Sequence, residues 1–314
     1  MISDVPGAWD TKFHAPVLVE EVQQLFGGAG QILDCTLGGG GHSAALLAMG
    51  ATVTAIDRDR SALKIATNRL ATHEAAGRFR VILGNFAEVD TLLSDPLQKF
   101  DGIVADLGVS SHQIDDTSRG FSFREGALLD MRMAEDAPSS AADYLNNAAE
   151  AELADVFREY GDEPKARRLA REIVRRRANR SFATSDDLVG AIRGTLGPRS
   201  GAGEFARLFQ AVRIAVNAEI ELLEQALPRL RDRLAPGGVI GVISYHSGED
   251  RVVKHAMREW SRVCVCPPRL LRCECRGSAL GQLVWRKAVV PAGVEIQRNP
   301  RARSARLRAW RSEV

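Results

Sequence analysis

Four consecutive glycines, Gly38 to Gly41, stand between an apolar run ending at Asp34-Cys35 and a helical pattern opening at Ser43. Glycines permit a tight turn and a close approach of backbone to ligand, and a helix start presents unpaired N–H groups. Asp57 closes the next apolar run, nineteen residues after Gly38. A carboxylate there can accept both ribose hydroxyls of an adenosine ligand. A glycine turn with an acid capping the next helix explains either feature alone, and the pair less well.

Two adenosine ligands compete. The dinucleotide pattern G-x-G-x-x-G is imperfect, because Ser43 stands at the third glycine. The pattern acid-x-small-x-Gly-x-Gly fits Asp34, Thr36, Gly38 and Gly40. An acid at Asp34 repels a pyrophosphate, whereas Asp34, Asp57 and Asp106 together suit a sulfonium cation. S-adenosylmethionine is therefore the expected cofactor.

Asp106 ends a further apolar run and leads into Leu107-Gly108-Val109-Ser110-Ser111-His112-Gln113; another run leads into Tyr245-His246-Ser247-Gly248-Glu249-Asp250. Strand ends border the ligand crevice of an open α/β sheet, so Asp106, Ser110 and His246 are candidate catalytic residues. Asp106 could instead cap a turn, His246 could be a hydrogen-bonded structural histidine, and Ser247 or Asp250 could cap a helix. Cys264-x-Cys266-x6-Cys273-x-Cys275 supplies four thiols, enough for tetrahedral zinc. The usual pairs lie two to four residues apart, reduced unligated thiols are the alternative, and no residue is assigned as a metal ligand.

The elements that must position these residues alternate. Strands are predicted at Gln31–Cys35, Thr52–Asp57, Phe79–Leu83, Phe100–Asp106 and Val239–Tyr245, with helices between them such as Ser43–Met49 and Arg60–Leu70. Near-continuous apolar strands mean a parallel sheet covered on both faces. From Gly126 to about Gly203 only helical patterns occur: Ser140–Asn146, Glu150–Tyr160, Lys165–Arg177 and Ser185–Arg193, the last capped by Thr184 or Ser185. A long helix, Phe205–Ala226, follows, then an Ala235–Gly238 turn into the fifth strand. Leu283–Val289 and Ser304–Trp310 read as the last strands, the final one antiparallel. The expected layout is an α/β core over residues 1–125 and 204–314, with a helical domain inserted at 126–203.

With 45% hydrophobic and 26% charged residues in 314, the composition excludes disordered, collagen-like and small disulfide-scaffold classes. No run approaches a membrane span, no secretory signal opens the chain, and the cysteine usage is that of a cytoplasmic protein. Six lysines accompany thirty-six arginines. A GC-rich genome raises arginine everywhere, but position is more telling. Lys165–Arg180 holds eight basic residues and one acid, Glu172, and Arg298–Arg311 holds six arginines and no acid. Two basic blocks on a chain of net charge +2 imply a polyanionic partner.

The segments HAPVLVEEV, DCTLGGGGHS, AIDRD, DLGVSSHQIDDTSRGFSF, LDMRM, FQAVRIAVNAE, SYHSGEDR and NPRARSARLR, in this order from His14 to about Leu307, resemble the bacterial 16S rRNA cytosine-N4-methyltransferase family. The resemblance implies a class I (Rossmann-like) methyltransferase sheet with an inserted helical domain for RNA recognition. It also implies S-adenosylmethionine as cofactor and the N4 amino group of a decoding-region cytidine in 16S rRNA of the small subunit as substrate. By that resemblance Gly40, Gly41 and His42 contact the cofactor, Asp57 its ribose and Phe86 its adenine, while Asp106 and Gln113 complete the site. Asp34 and Gly38 belong to the same turn. A homodimer is compatible with it. Two positions depart from the family: Cys35 replaces a smaller residue, and Gly248 replaces a leucine and loosens the loop after His246. The competing readings are a non-catalytic RNA-binding ribosome-assembly factor and an NAD-dependent oxidoreductase. Ser43 and the lack of a hydride-transfer domain disfavour the latter.

Overall fold

The structure, a computed structural model, describes Trp9 and residues 16–134, 137–267, 272 and 274–313. The chain forms two compact units, one from residues 1–108 and 220–314 and the other from Val109–Glu219.

The first unit is α/β. Its strands are β1 Gln31–Asp34, β2 Thr52–Asp57, β3 Phe79–Leu83, β4 Phe100–Asp106, β5 Leu234–Ser244, β6 Gly281–Leu283 and β7 Arg306–Ser312. They form a seven-stranded sheet in the order β3-β2-β1-β4-β5-β7-β6. The first five strands run parallel, and β7 is antiparallel to both β5 and β6. Because β1 pairs with both β2 and β4, the winding reverses between β1 and β4. That switch point opens a crevice at their carboxyl ends.

Successive strand residues feed opposite faces. Ile32 and Val104 pack with Leu46 and Leu47 in one buried cluster, while Leu33 and Ile103 pack with Leu223 and Leu227 in another. Both faces are thus covered, which is why β1 and β4 are apolar on both faces through their middles, Ile32-Leu33 and Ile103-Val104.

Several boundaries differ from the sequence reading, among them β7, which runs Arg306–Ser312 where Ser304–Trp310 was expected because Ser304 ends the preceding turn Pro300–Ser304. The long helix Phe205–Ala226 is broken at Ala218, whose φ of 49° ends one helix, Ala202–Asn217, before another, Glu219–Asp232, begins. Ala235–Gly238 does not precede β5 but lies within it. The register jumps there from Phe100↔Leu234 to Gly102↔Val239, so the four residues form an irregularity in the pairing. Only Gly281–Leu283 forms β6, and Val289 makes a single bridge to Leu307.

The second unit is helical. Among its described residues there is no strand, only a bridge between Leu128 and Thr184. Its core joins Leu145, Phe157, Leu169, Ile173, Leu188 and Leu208. Phe205, Leu208 and Val212 of the helix Ala202–Asn217 are buried in that core. The helical unit therefore takes in Val109–Glu219, where the sequence reading had 126–203.

Candidate active site

The glycine turn is braced by two acids. Asp34, at the end of β1, is 1% exposed; its Oδ1 accepts the Thr36 N–H at 3.1 Å and its Oδ2 accepts the Ser43 hydroxyl at 2.6 Å. Burial holds its carboxyl above the ordinary range against the lowering effect of Ser43. The residue that spoils the dinucleotide pattern is thus a partner of the first acid. Asp57 binds the turn from β2, accepting the Gly38 N–H at 2.8 Å and the Asp59 N–H at 2.9 Å. Burial raises its carboxyl to about 6. Each of its oxygens retains a lone pair for a further donor. Gly40 adopts φ 74° where the helix Gly41–Ala48 begins, and a Cβ on Gly41 would lie 2.7 Å from Pro16 Cγ. Arg69 closes the outside of the turn by donating to the Gly39 carbonyl at 3.0 Å.

Asp106 ends β4 across the switch point from Asp34. Its backbone N–H donates to Thr36 Oγ1 at 2.6 Å, and its carboxylate Oδ1 accepts the Tyr245 hydroxyl at 2.8 Å. Its Oδ2 lies 3.3 Å from Nε2 of the buried His42. The two groups pair through that contact, and among the described residues neither His42 ring nitrogen has a partner that meets hydrogen-bond geometry. Burial disfavours the imidazolium, but Asp106 overrides it and His42 is shifted upward. Tyr245 is pushed well above its ordinary range, first by burial and then by Asp106. Phe86 stands half-buried just beyond β3, opening the turn Phe86–Glu88.

Other sequence candidates have local duties. His246 is the N-cap of the helix Ser247–Trp260: its Nδ1 accepts the Glu249 N–H at 3.4 Å, and Glu249 accepts the Tyr245 N–H at 2.8 Å. Ser247 and Asp250 are therefore not the cap. Asp250 instead forms a two-pronged pair with Arg308 at 2.7 and 3.1 Å. Gly248 lies in the first helical turn, where a Cβ would come within 3.1 Å of the His246 ring, so the segment is tied down rather than loose. Ser110 and Gln113, in the helical unit, satisfy each other. The Ser110 N–H donates to Gln113 Oε1 at 3.0 Å and the Gln113 N–H to Ser110 Oγ at 3.2 Å. This is a capping box for the helix Ser111–Asp115. Cys35 is buried among Leu33, Ile56 and Ala105, and burial raises its thiol well above the reactive range.

The roles of Tyr245, Thr36 and Arg69 were missed, although Thr36 fits the turn pattern as its small residue. Tyr245 had a signal, a hydroxyl at the end of an otherwise apolar strand beside His246. The backbone-directed roles of Thr36 and Arg69 had none.

The basic blocks divide. In the helix Ala166–Arg177, Leu169, Ala170 and Ile173 are buried while Arg167, Arg168, Arg171 and Arg175 are exposed. Arg175 and Arg176 pair with Glu172 at 2.7 Å, holding its carboxyl down to about 2, and Arg171 lies 3.8 Å from Glu150. Arg177 donates to the Leu145 and Ala148 carbonyls. Arg167 and Arg168 have no carboxylate partner among the described residues. In the α/β unit a cavity of about 470 Å³ is lined by Tyr245, His246, Ser247, Val290, Arg303 and Arg306. Arg303 and Arg306 are exposed, and neither pairs with a carboxylate among the described residues.

A glycine turn after β1, an acid closing β2 and a gripped carboxylate at the β1/β4 switch point define a class I α/β methyltransferase. The chain belongs to the MraW methylase family, which it matches over residues 11–313. It is 57% identical over 311 residues to the ribosomal RNA small subunit methyltransferase H of Gemmatimonas aurantiaca, covering 99% of each chain. It is 41% identical over 306 residues to the enzyme of the same name from Heliobacterium modesticaldum, covering 94% of this chain and 97% of the relative. No helix among the described residues is long and apolar enough to cross a membrane.

Proposed function

We propose that this protein transfers a methyl group from S-adenosylmethionine to the N4 amino group of a cytidine in the decoding region of 16S rRNA, within the small subunit in the cytoplasm. The residues fit that cofactor. Asp57 has acceptor capacity for ribose hydroxyls, the half-buried Phe86 just beyond β3 is the residue that would take adenine, Gly38 leaves room for close approach because a Cβ there would meet only the Thr36 carbonyl at 4.0 Å, and the buried His42 has no hydrogen-bond partner for its ring nitrogens among the described residues. When bound, S-adenosylmethionine supplies an electrophilic methyl group. Asp34 acts on the cofactor through the turn it braces.

The observation that carries the reading is the Asp106 carboxylate, oriented by Tyr245 at the switch point. The N4 lone pair of cytosine is delocalised into the ring and is a poor nucleophile. A carboxylate accepting an N4–H bond makes the nitrogen more tetrahedral and stabilises its developing positive charge. Alignment of nitrogen with the methyl group supplies the rest. The base must leave its stack to reach such a site, which is least costly in irregular RNA. Arg303, Arg306, Arg167 and Arg168, which have no carboxylate partner among the described residues, carry positive charge suited to the phosphates of that RNA.

The test is transfer of labelled methyl to small-subunit particles from cells lacking the protein, followed by nucleoside mass spectrometry. N4-methylcytidine is expected. Label on C5, on another base or on protein would refute the substrate. Absence of transfer with intact RNA binding would favour an assembly factor.

A further inference from the structure

The connection from Ser261 to Leu280 joins the helix Ser247–Trp260 to β6 with no helix or strand among its described residues. Connections longer than about 12–15 residues without regular structure are uncommon and need something to hold them. Arg276 fastens the base of this one, donating to the Glu259 carbonyl at 2.6 Å and the Arg262 carbonyl at 3.0 Å. Beyond that base its described residues include no buried apolar side chain to fold around.

Three thiols meet there instead. The sulfurs of Cys264, Cys266 and Cys275 all lie within 4.8 Å of one another. Unligated cysteine is among the most buried residue types, as Cys35 illustrates at 1% exposure. Cys264 is exposed and Cys266 and Cys275 are half-buried, so packing does not explain their gathering. The backbone around them is reciprocal. Val265, inside the first Cys-x-Cys, donates its N–H to Cys275 Sγ at 3.3 Å; Glu274, the middle residue of the second, donates its N–H to Cys266 Sγ at 3.4 Å. Amide donors aimed at sulfur stabilise thiolate charge and orient it, as supporting groups around metal ligands do.

We propose that Cys264, Cys266 and Cys275 are ligands of a structural zinc ion that organises this connection. Tetrahedral zinc with Zn–S bonds of about 2.3 Å sets neighbouring sulfurs about 3.8 Å apart, so the observed cluster needs only a small contraction. A sulfur-only donor set selects zinc over magnesium or calcium, which take oxygen. Each thiol that coordinates releases its proton to solvent, so uptake is accompanied by acidification and is weaker at low pH. The fourth corner needs one more donor; in the sequence the second Cys-x-Cys begins with Cys273, which lies outside the described residues.

The test uses the full-length protein purified without chelator. Elemental analysis should find about one zinc per chain, and Cys264→Ser/Cys275→Ser should hold less than about a tenth of that. Cobalt added to metal-free protein should give the visible spectrum of tetrahedral thiolate coordination. Chelation should speed tryptic cleavage between Ser261 and Leu280 by at least tenfold while the rest of the chain stays resistant. Metal-free protein that binds neither added zinc nor cobalt, with its thiols readily alkylated, would overturn the proposal. So would a disulfide among these cysteines in protein that holds no zinc.

Discussion

Tyr245 donates its phenolic hydrogen to Asp106 Oδ1 at 2.8 Å, so a residue just beyond β5 fixes the carboxylate that ends β4. The hydroxyl holds one oxygen while His42 faces the other. Asp106→Ala should lower single-turnover methyl transfer at least 100-fold, about the loss expected when a group acting on developing charge is removed. Tyr245→Phe keeps the ring and loses the grip, and should lower it about tenfold. Its affinity for S-adenosylhomocysteine, read by calorimetry, should stay within a few-fold of the parent. Full activity in Asp106→Ala would refute the site.

Asp57 gives a prediction in binding and one in pH. Charge-assisted bonds to ribose hydroxyls contribute about 1.5–3 kcal/mol each, so Asp57→Ala should weaken S-adenosylhomocysteine binding at least tenfold in a folded protein. Its carboxyl rises on folding from 3.8 to about 6, chiefly through burial. Between those values the folded chain holds a proton that the unfolded chain has released. This contribution to stability is therefore present below about pH 4 and lost as pH rises through about 6. Denaturant titrations should show that loss in the parent and not in Asp57→Asn. Cofactor affinity, which needs the charged acceptor, should fall below pH 6 in the parent alone.

Ser43→Ala should cost about 1–3 kcal/mol of stability, because it leaves a buried oxygen of Asp34 without its donor. Urea unfolding should show a lower midpoint at unchanged slope. A change within about 0.3 kcal/mol would mean that the Ser43–Asp34 bond does not stabilise the turn.

Arg303 and Arg306 can be tested apart from the chemistry. Arg303→Gln/Arg306→Gln should reduce affinity for single-stranded RNA and flatten its dependence on salt, by about 0.7 in the logarithmic slope for each phosphate no longer neutralised. Arg→Lys at both positions should keep most of the slope. Affinity for S-adenosylhomocysteine should not change. An unaltered slope in the double variant would show these arginines to be merely solvated.

Where residues act through short-range pattern, the sequence was legible. The apolar runs that became β1 to β4, the glycine turn and the Asp57 carboxylate all follow from local composition and spacing. What escaped was set by partners distant in the chain. Nothing near Ala218 announces a break, because its left-handed backbone separates two helices that each pack into the core of a different unit. Ser110 and Gln113 stand at a capping-box spacing, yet their place in a strand-end loop drew a chemical reading. His246 likewise lies three residues before Glu249 and caps a helix. A polar residue after a buried strand has two employments, and only its partners distinguish them.

The α/β unit is built from chain on both sides of the helical unit, and β4 pairs with β5 across that gap. During synthesis at about 5–20 residues per second, the ribosome needs roughly 6–25 s to pass from the end of β4 to the start of β5. For that interval β4 is an open edge of largely apolar residues, the kind of strand that pairs with the wrong neighbour. The helical unit is synthesised in the meantime, and its core takes no residue from the α/β unit, so its folding does not wait for β5. Chains truncated before Leu234 and released from the ribosome should therefore carry a protease-resistant helical unit beside a sheet that is still an aggregation hazard, one that β5 relieves when present.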